Sequence, residues 1–182
     1  MFRELNTLKL FFEYPSREFS VREVARLLKI SPATASKELK KLAGEGILKS
    51  RKLKNFSFFK ADLESERYRD MKLYYNLRKI RESGLLESIN RFYLRPTVVL
   101  FGSAASGMDT ETSDFDLLIV SEKTAEFPEK VKFERKLSRK LQLFAVKDIR
   151  ALKNEHLMNS AMNGITIQGE VEWIWKSASG KA

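Results

Sequence analysis

Fifteen residues in the second half of the chain, GSAASGMDTETSDFD at 102–116, constrain it more than any other stretch. The apolar run Val98, Val99, Leu100 and Phe101 leads into Gly102 and Ser103. Ten residues later Asp114 and Asp116 open a second apolar run, Leu117 to Val120. The pattern predicts a strand, a tight turn with a short helix, and a second strand that carries carboxylates at i and i+2. Alternate strand residues share a face, so Asp114 and Asp116 point the same way. Two adjacent carboxylates repel each other unless a cation lies between them. A hard divalent cation such as Mg²⁺ or Mn²⁺, held by oxygen atoms and shared with phosphates, is the expected occupant. Gly102 lets the backbone turn sharply and approach a ligand closely. A helix starting at Ser103 would add free backbone N–H groups and a hydroxyl for phosphate. Together these features predict a site for a nucleoside triphosphate.

Gly102, Ser103, Asp114 and Asp116, with apolar strands on both sides, resemble the nucleotidyltransferase superfamily that includes DNA polymerase beta. More narrowly they resemble the minimal nucleotidyltransferases of archaea and bacteria, over roughly residues 95–170. The resemblance implies that Asp114 and Asp116 are the metal-binding catalytic pair. It also implies that Gly102 and Ser103 hold the phosphates of a nucleoside triphosphate.

Composition narrows the alternatives. The chain has 182 residues, 43% of them hydrophobic, which is enough for a packed core. No apolar run approaches 18 residues, so no membrane partner is expected. The segment MFRELNTLKLFF is too charged for a secretory signal, and the expected compartment is the cytoplasm. There is no cysteine and one histidine, His156, which excludes thiol chemistry, disulfides and multi-histidine metal sites. The net charge of +10 is uneven. Residues 1–60 hold 14 Lys and Arg against 6 Asp and Glu, a net +8, while the remainder holds 20 against 18, a net +2. A surface for a polyanion therefore belongs to the first third.

That first third predicts a helix from Arg3 to Glu13, with Leu5, Leu8, Phe11 and Phe12 inward. A break at Tyr14-Pro15 follows, then a short strand at Phe19. Ser20 and Glu23 form a capping box for a second helix, whose apolar face is Val21, Val24, Ala25, Leu27 and Leu28. Ser31 caps a third helix that begins with Pro32 and carries Ala35, Leu39 and Leu42 on one stripe. Two strands, 47–53 and 56–60, close the segment around Lys54-Asn55. Three helices and a basic hairpin resemble a winged helix-turn-helix of the kind common in archaeal regulators, with SPATASKELKKLAGEGIL close to the usual recognition-helix pattern. Pro32, Thr34, Ser36, Lys37, Lys40 and Lys41 lie off the apolar stripe and suit double-stranded DNA, as do Lys49, Arg51, Lys52 and Lys54 on the hairpin. Asn and Gln are absent from this helix, so base readout is modest or rests on Thr34, Ser36 and Lys37.

The predicted fold is α+β. A winged helix-turn-helix occupies residues 1–61 and a helical connector 62–94. A nucleotidyltransferase-like α/β domain with a small mixed sheet occupies 95–176, with a loose tail at 177–182. In the connector Tyr68, Met71, Tyr75, Leu77 and Ile80 recur at helical spacing, as packing between domains or as a homodimer seam. Pro96 ends a second short piece, 85–93. In related enzymes a third carboxylate stands on a following strand, where this chain has Gln142. A neutral amide can offer a metal one oxygen but cannot act as a base. Glu134 and Glu170 are candidate substitutes. Strand 165–167 closes the sheet, with Trp173 and Trp175 beyond it. Three functions follow. The first is a DNA-binding transcriptional regulator whose second domain binds Mg-nucleoside triphosphate. The second is an active transferase that moves a nucleoside monophosphate onto a hydroxyl of a partner protein, as antitoxin-like relatives resemble. The third is an architectural DNA binder with an inactive second domain.

Overall fold

A computed structural model describes residues 2–152 and 154–170 of the chain. The expected cover from Trp173 and Trp175 and the tail at 177–182 lie outside the described residues, as does the side chain of Leu5. The fold is α+β. The described residues form helices α1 (Phe2–Glu13), α2 (Val21–Leu28), α3 (Pro32–Gly44), α4 (Glu66–Glu82), α5 (Leu85–Tyr93), α6 (Lys130–Leu137) and α7 (Glu155–Met162). Their strands are β1 (Phe19–Ser20), β2 (Leu48–Leu53), β3 (Phe56–Ala61), β4 (Thr97–Phe101), β5 (Phe115–Val120), β6 (Leu141–Val146) and β7 (Ile165–Gln168).

Local chemistry sets the first helices. The Ser20 hydroxyl accepts the Glu23 amide at 3.2 Å, and Ser31 accepts the Thr34 amide at 3.1 Å with Pro32 in the first turn. Only half of the expected capping box forms, because the Glu23 carboxylate pairs with Arg17 instead. Leu27, expected inside, is 46% exposed. The inward stripe of α2 runs Val21, Val24, Ala25, Leu28 at i, i+3, i+4 and i+7, and position 27 falls beside it. Phe11, Phe12, Phe19, Leu39 and Phe59 are fully or almost fully buried in the core these elements share. Strand β3 lies between β1 and β2, antiparallel to both.

The second sheet has the order β6-β5-β4-β7. Strands β5 and β6 are parallel and the other neighbours antiparallel, so the sheet is mixed. Both its faces are covered, which explains the continuous apolar runs of β4 and β5. Val98, Leu100, Leu117 and Ile119 pack under α5 and α6 with Leu85, Ile89 and Phe133. Val99, Phe101 and Leu118 turn the other way, toward Leu152 and Ala161.

Helix α4 serves both cores. Its fully inward residues are Tyr68, Lys72, Asn76 and Ile80, one every four residues. Tyr68 belongs to the first core and donates its hydroxyl to the Phe11 carbonyl at 2.9 Å; Ile80 belongs to the second. The aromatic stripe is thus packed within one chain, with Tyr75 against Phe12 at 5.1 Å between ring centroids.

Leu94 and Arg95, between α5 and β4, both have φ of 60°. Leu94 is 80% exposed. A leucine in the left-handed region costs about 1–2 kcal/mol, and here little burial offsets that cost. Leu94→Gly is therefore expected to stabilise the chain by about 1 kcal/mol, a rise of about 2–4 °C in thermal melting. An unchanged or lower midpoint contradicts this reading of the turn.

Candidate functional site

Strand β4 ends at Phe101, directly opposite Asp116 on β5, and Asp116 in turn pairs in register with Gln142 on β6. Gly102, Asp116 and Gln142 are thereby brought to one end of the sheet by backbone pairing alone. Asp114 lies just before β5, not within it, and Phe115 between the two carboxylates is buried. The alternation expected of the pair survives, since Asp114 and Asp116 are both half-buried and close enough to interact.

The helix expected at Ser103 is a single 3₁₀ turn, Gly102–Ala104. One turn has no appreciable dipole, so phosphate binding by a helix end does not carry over. The chain leaves the helical path because the Ser103 carbonyl is taken early, by the Met108 amide and the Ser106 hydroxyl, both at 3.0 Å. Gly102 has a more direct role. Its φ is 71°, and a Cβ there would stand 2.5 Å from Asp116 Oδ2. The missing side chain is the seat of the Asp116 carboxylate.

Burial raises the Asp116 pKa above the ordinary 3.8, and the charge of Asp114 raises it further. Gln142 Nε2 donates to Asp114 Oδ2 at 2.7 Å. The amide thus occupies the side of the pair where a third carboxylate was expected, and binds a carboxylate instead of repelling it. Glu170 lies away from that place, and Glu134, which lines the cavity beside Asp114, does not complete a three-carboxylate cluster among the described residues. Glu134 Oε1 accepts the Leu141 amide at 3.0 Å and closes the α6–β6 junction. Glu170 is exposed beyond β7. Among the described residues no three His, Asp or Glu side chains converge on one point. Two carboxylates still suit Mg²⁺, which commonly takes one or two from protein and fills its remaining positions with water and phosphate oxygens. The strained like-charge pair against Gly102 fits such an ion. An open cavity of about 710 Å³ adjoins Asp114 and is lined among others by Glu134, Arg135, Ser138 and Lys140.

Four residues of the surroundings were not anticipated. Asp109, in the loop between Ser103 and Asp114, is fully buried. Its Oδ2 lies 3.1 Å from Lys72 Nζ and 3.3 Å from an Arg139 nitrogen, and its Oδ1 accepts Asn76 Nδ2 at 2.7 Å. A signal existed in α4: Lys72 and Asn76 fall on the same four-residue stripe as Tyr68 and Ile80, and polar residues on an inward stripe need partners.

On the first sheet and α3, Pro32, Thr34, Lys37, Lys40 and Lys41 are exposed and Ser36 is half-buried. Lys49, Arg51, Lys52 and Lys54 are exposed on the hairpin. Two of these cations already hold carboxylates: Lys49 pairs with Glu64 at 2.6 Å and Asp62 at 3.1 Å, and Arg51 with Glu18 at 2.5 Å. Lys41 lies 3.7 Å from Glu45. Among the described residues no helix is long and apolar enough to cross a membrane.

The family model described as Polymerase beta, Nucleotidyltransferase matches residues 96–171, the segment that holds the whole second sheet, Gly102, Ser103, Asp114 and Asp116. These residues carry a nucleotidyltransferase-like domain. No curated protein matches the chain in sequence.

Two outcomes test this geometry. A carboxyl with a raised folded-state pKa lowers stability as pH rises from the ordinary value through the raised one, and the penalty persists at neutral pH. Asp114→Asn removes one cause of the shift. Its melting temperature in EDTA should therefore exceed that of the wild type, with the gap opening from about pH 4 upward. Wild-type and variant melts that coincide at pH 7 contradict the like-charge account. Gly102→Ala should displace the Asp116 carboxylate, costing about 1–2 kcal/mol of stability from the left-handed backbone. Calorimetric Mg²⁺ titration in the presence of ATP should show binding at least about tenfold weaker than wild type.

Proposed function

We propose that the chain is a DNA-binding regulator whose nucleotidyltransferase-like half binds a nucleoside triphosphate with Mg²⁺ as a signal rather than as a substrate. The observation that carries this reading is the Gln142–Asp114 hydrogen bond. It supports a site that keeps its metal-binding pair and its glycine–serine turn but lacks a base to take the proton from an attacking hydroxyl. Asp114 and Asp116 would hold the ion, and Gly102 and Ser103 would face the β and γ phosphates. When bound, the ion supplies charge neutralisation for the phosphates. Gln142 holds Asp114 in place, and Gly102 leaves Asp116 its room.

The DNA half of the reading rests on the first third of the chain. The order α1, β1, α2, α3, β2, β3 is that of a winged helix-turn-helix, and α3 turns Pro32, Thr34, Lys37 and Lys40 outward. In this reading α3 enters the major groove and the β2–β3 hairpin follows the backbone. Lys37, Lys40, Lys52 and Lys54 are the leading phosphate contacts, because Lys49 and Arg51 would first have to release Glu64, Asp62 and Glu18. Regulation requires the nucleotide to bind one state of the protein better than another.

Two measurements on the full chain test the reading. Duplex DNA affinity should fall about a thousandfold between 50 and 200 mM salt if about six phosphates are contacted. At fixed salt it should change on addition of Mg-ATP or Mg-GTP, and unchanged affinity at millimolar nucleotide sinks the sensing role. Incubation with α-labelled triphosphates and cell extract should leave no labelled acceptor. A labelled product that Asp114→Ala abolishes would establish the alternative, transfer of a nucleoside monophosphate to a hydroxyl. DNA binding with no nucleotide binding at all would leave an architectural role.

A further inference from the structure

The loop from Ser103 to Asp114 joins the two halves of the candidate nucleotide site, and it is held from outside the sheet. From α4, Asn76 Nδ2 donates to the Ala104 carbonyl at 3.1 Å and to Asp109 Oδ1 at 2.7 Å. Lys72 Nζ lies 3.1 Å from Asp109 Oδ2 and also donates to the Phe12 carbonyl in the last turn of α1. Gly107 lies so close to α4 that a Cβ would overlap the Arg69 carbonyl. From just before β6, Arg139 reaches Asp109 at 3.3 Å and donates to the carbonyls of Thr110 and Ser113. Asp109 and Lys72 are fully buried, Asn76 and Arg139 nearly so.

We infer that Asp109, gripped by Lys72, Asn76 and Arg139, is a positioning residue for nucleotide binding, and that the site is complete only when α1 and α4 of the N-terminal half are packed against it. The inference rests on the nucleotide-binding reading and says what shapes that site. None of the four side chains is among those assigned to metal or phosphate. They act through the loop: Asn76 fixes the residue after Ser103, Arg139 fixes the residue before Asp114, and Asp109 ties the two ends together. The group itself holds two buried cations and one carboxylate, and Glu13 at the end of α1 also acts on Lys72. Burial lowers the Lys72 pKa, and Asp109 opposes that shift. A buried cation in excess is costly where the fold alone is concerned. Its second bond, to the Phe12 carbonyl, is what the long amine reaches. The loop is thereby tied to α1, which itself touches α3 through Thr7 and Glu38 at 2.5 Å.

Lys72→Met separates this role from folding. It removes the cation in excess and leaves Asp109 and Arg139 as a neutral pair, so the variant should fold and keep its DNA affinity. Its Mg²⁺-dependent affinity for fluorescent ATP and GTP analogues should fall about 10–100-fold, as is typical when a group that orients a ligand-binding residue is lost. Asn76→Ala, which changes no charge, should do the same. Hydrogen exchange without ligand gives a readout independent of nucleotide. In the wild type, amides 104–113 should exchange as slowly as those of α4, and in both variants faster. Folded variants that bind nucleotide as the wild type does overturn the inference. So does a wild-type loop that exchanges like exposed chain. If the wild type binds neither analogue, the nucleotide reading fails, and the exchange data alone decide whether the loop is clamped.

Discussion

Two carboxylates held side by side against a glycine set the terms for this protein. Asp114 and Asp116 repel, and a fold assembled for stability alone would separate them or pair each with a cation. Instead backbone register fixes Asp116 opposite Phe101 and beside Gln142. Gly102 gives up its side chain to make room, and the nearest polar partner of Asp114 is an amide. Burial and the neighbouring charge both disfavour the ionised Asp116, and a divalent ion would offset both. The remaining architecture fits around this constraint: a sheet covered on both faces to hold the register, and a clamped loop to hold the turn in place.

The same logic distinguishes binding from chemistry. A third carboxylate would raise the repulsion further and supply a base. Gln142 lowers the repulsion and supplies none. Under the proposed reading this amide is what makes the site one that holds a nucleotide without consuming it. Helix α4 contributes to both cores, so under the proposed reading it is the element that would link the basic first third to the nucleotide site.

Much of this was legible in the sequence because it rests on local chemistry. Ser20, Ser31 and Pro32 announce helix starts, and Lys54-Asn55 between two strands announces the hairpin. The continuous apolar runs at 98–101 and 117–120 announce strands, and their cover on both faces came from the structure. Gly102, Asp114 and Asp116 were singled out from spacing, and the register of β4 and β5 sets Asp116 against Gly102 with Asp114 just ahead of the strand. What was not legible depends on distant neighbours. The helix expected at Ser103 is one turn, because the loop carbonyls and amides bond one another before a helix can form. Leu27 is exposed because its position on α2 misses the inward stripe by one residue. Asp109, Lys72 and Arg139 lie far apart in sequence and read as solvated charges. Only the four-residue spacing of Tyr68, Lys72, Asn76 and Ile80 hinted that α4 had polar groups to satisfy inside.

The most direct test is the titration of Asp116 itself, followed by carboxyl-carbon NMR in the full chain. The account requires its midpoint to lie above the ordinary carboxylate value in metal-free protein, and to fall when Mg²⁺ and a nucleoside triphosphate are added together. A midpoint at the ordinary value without metal, or one that Mg²⁺ and nucleotide leave in place, would mean that the two aspartates are not a cation site.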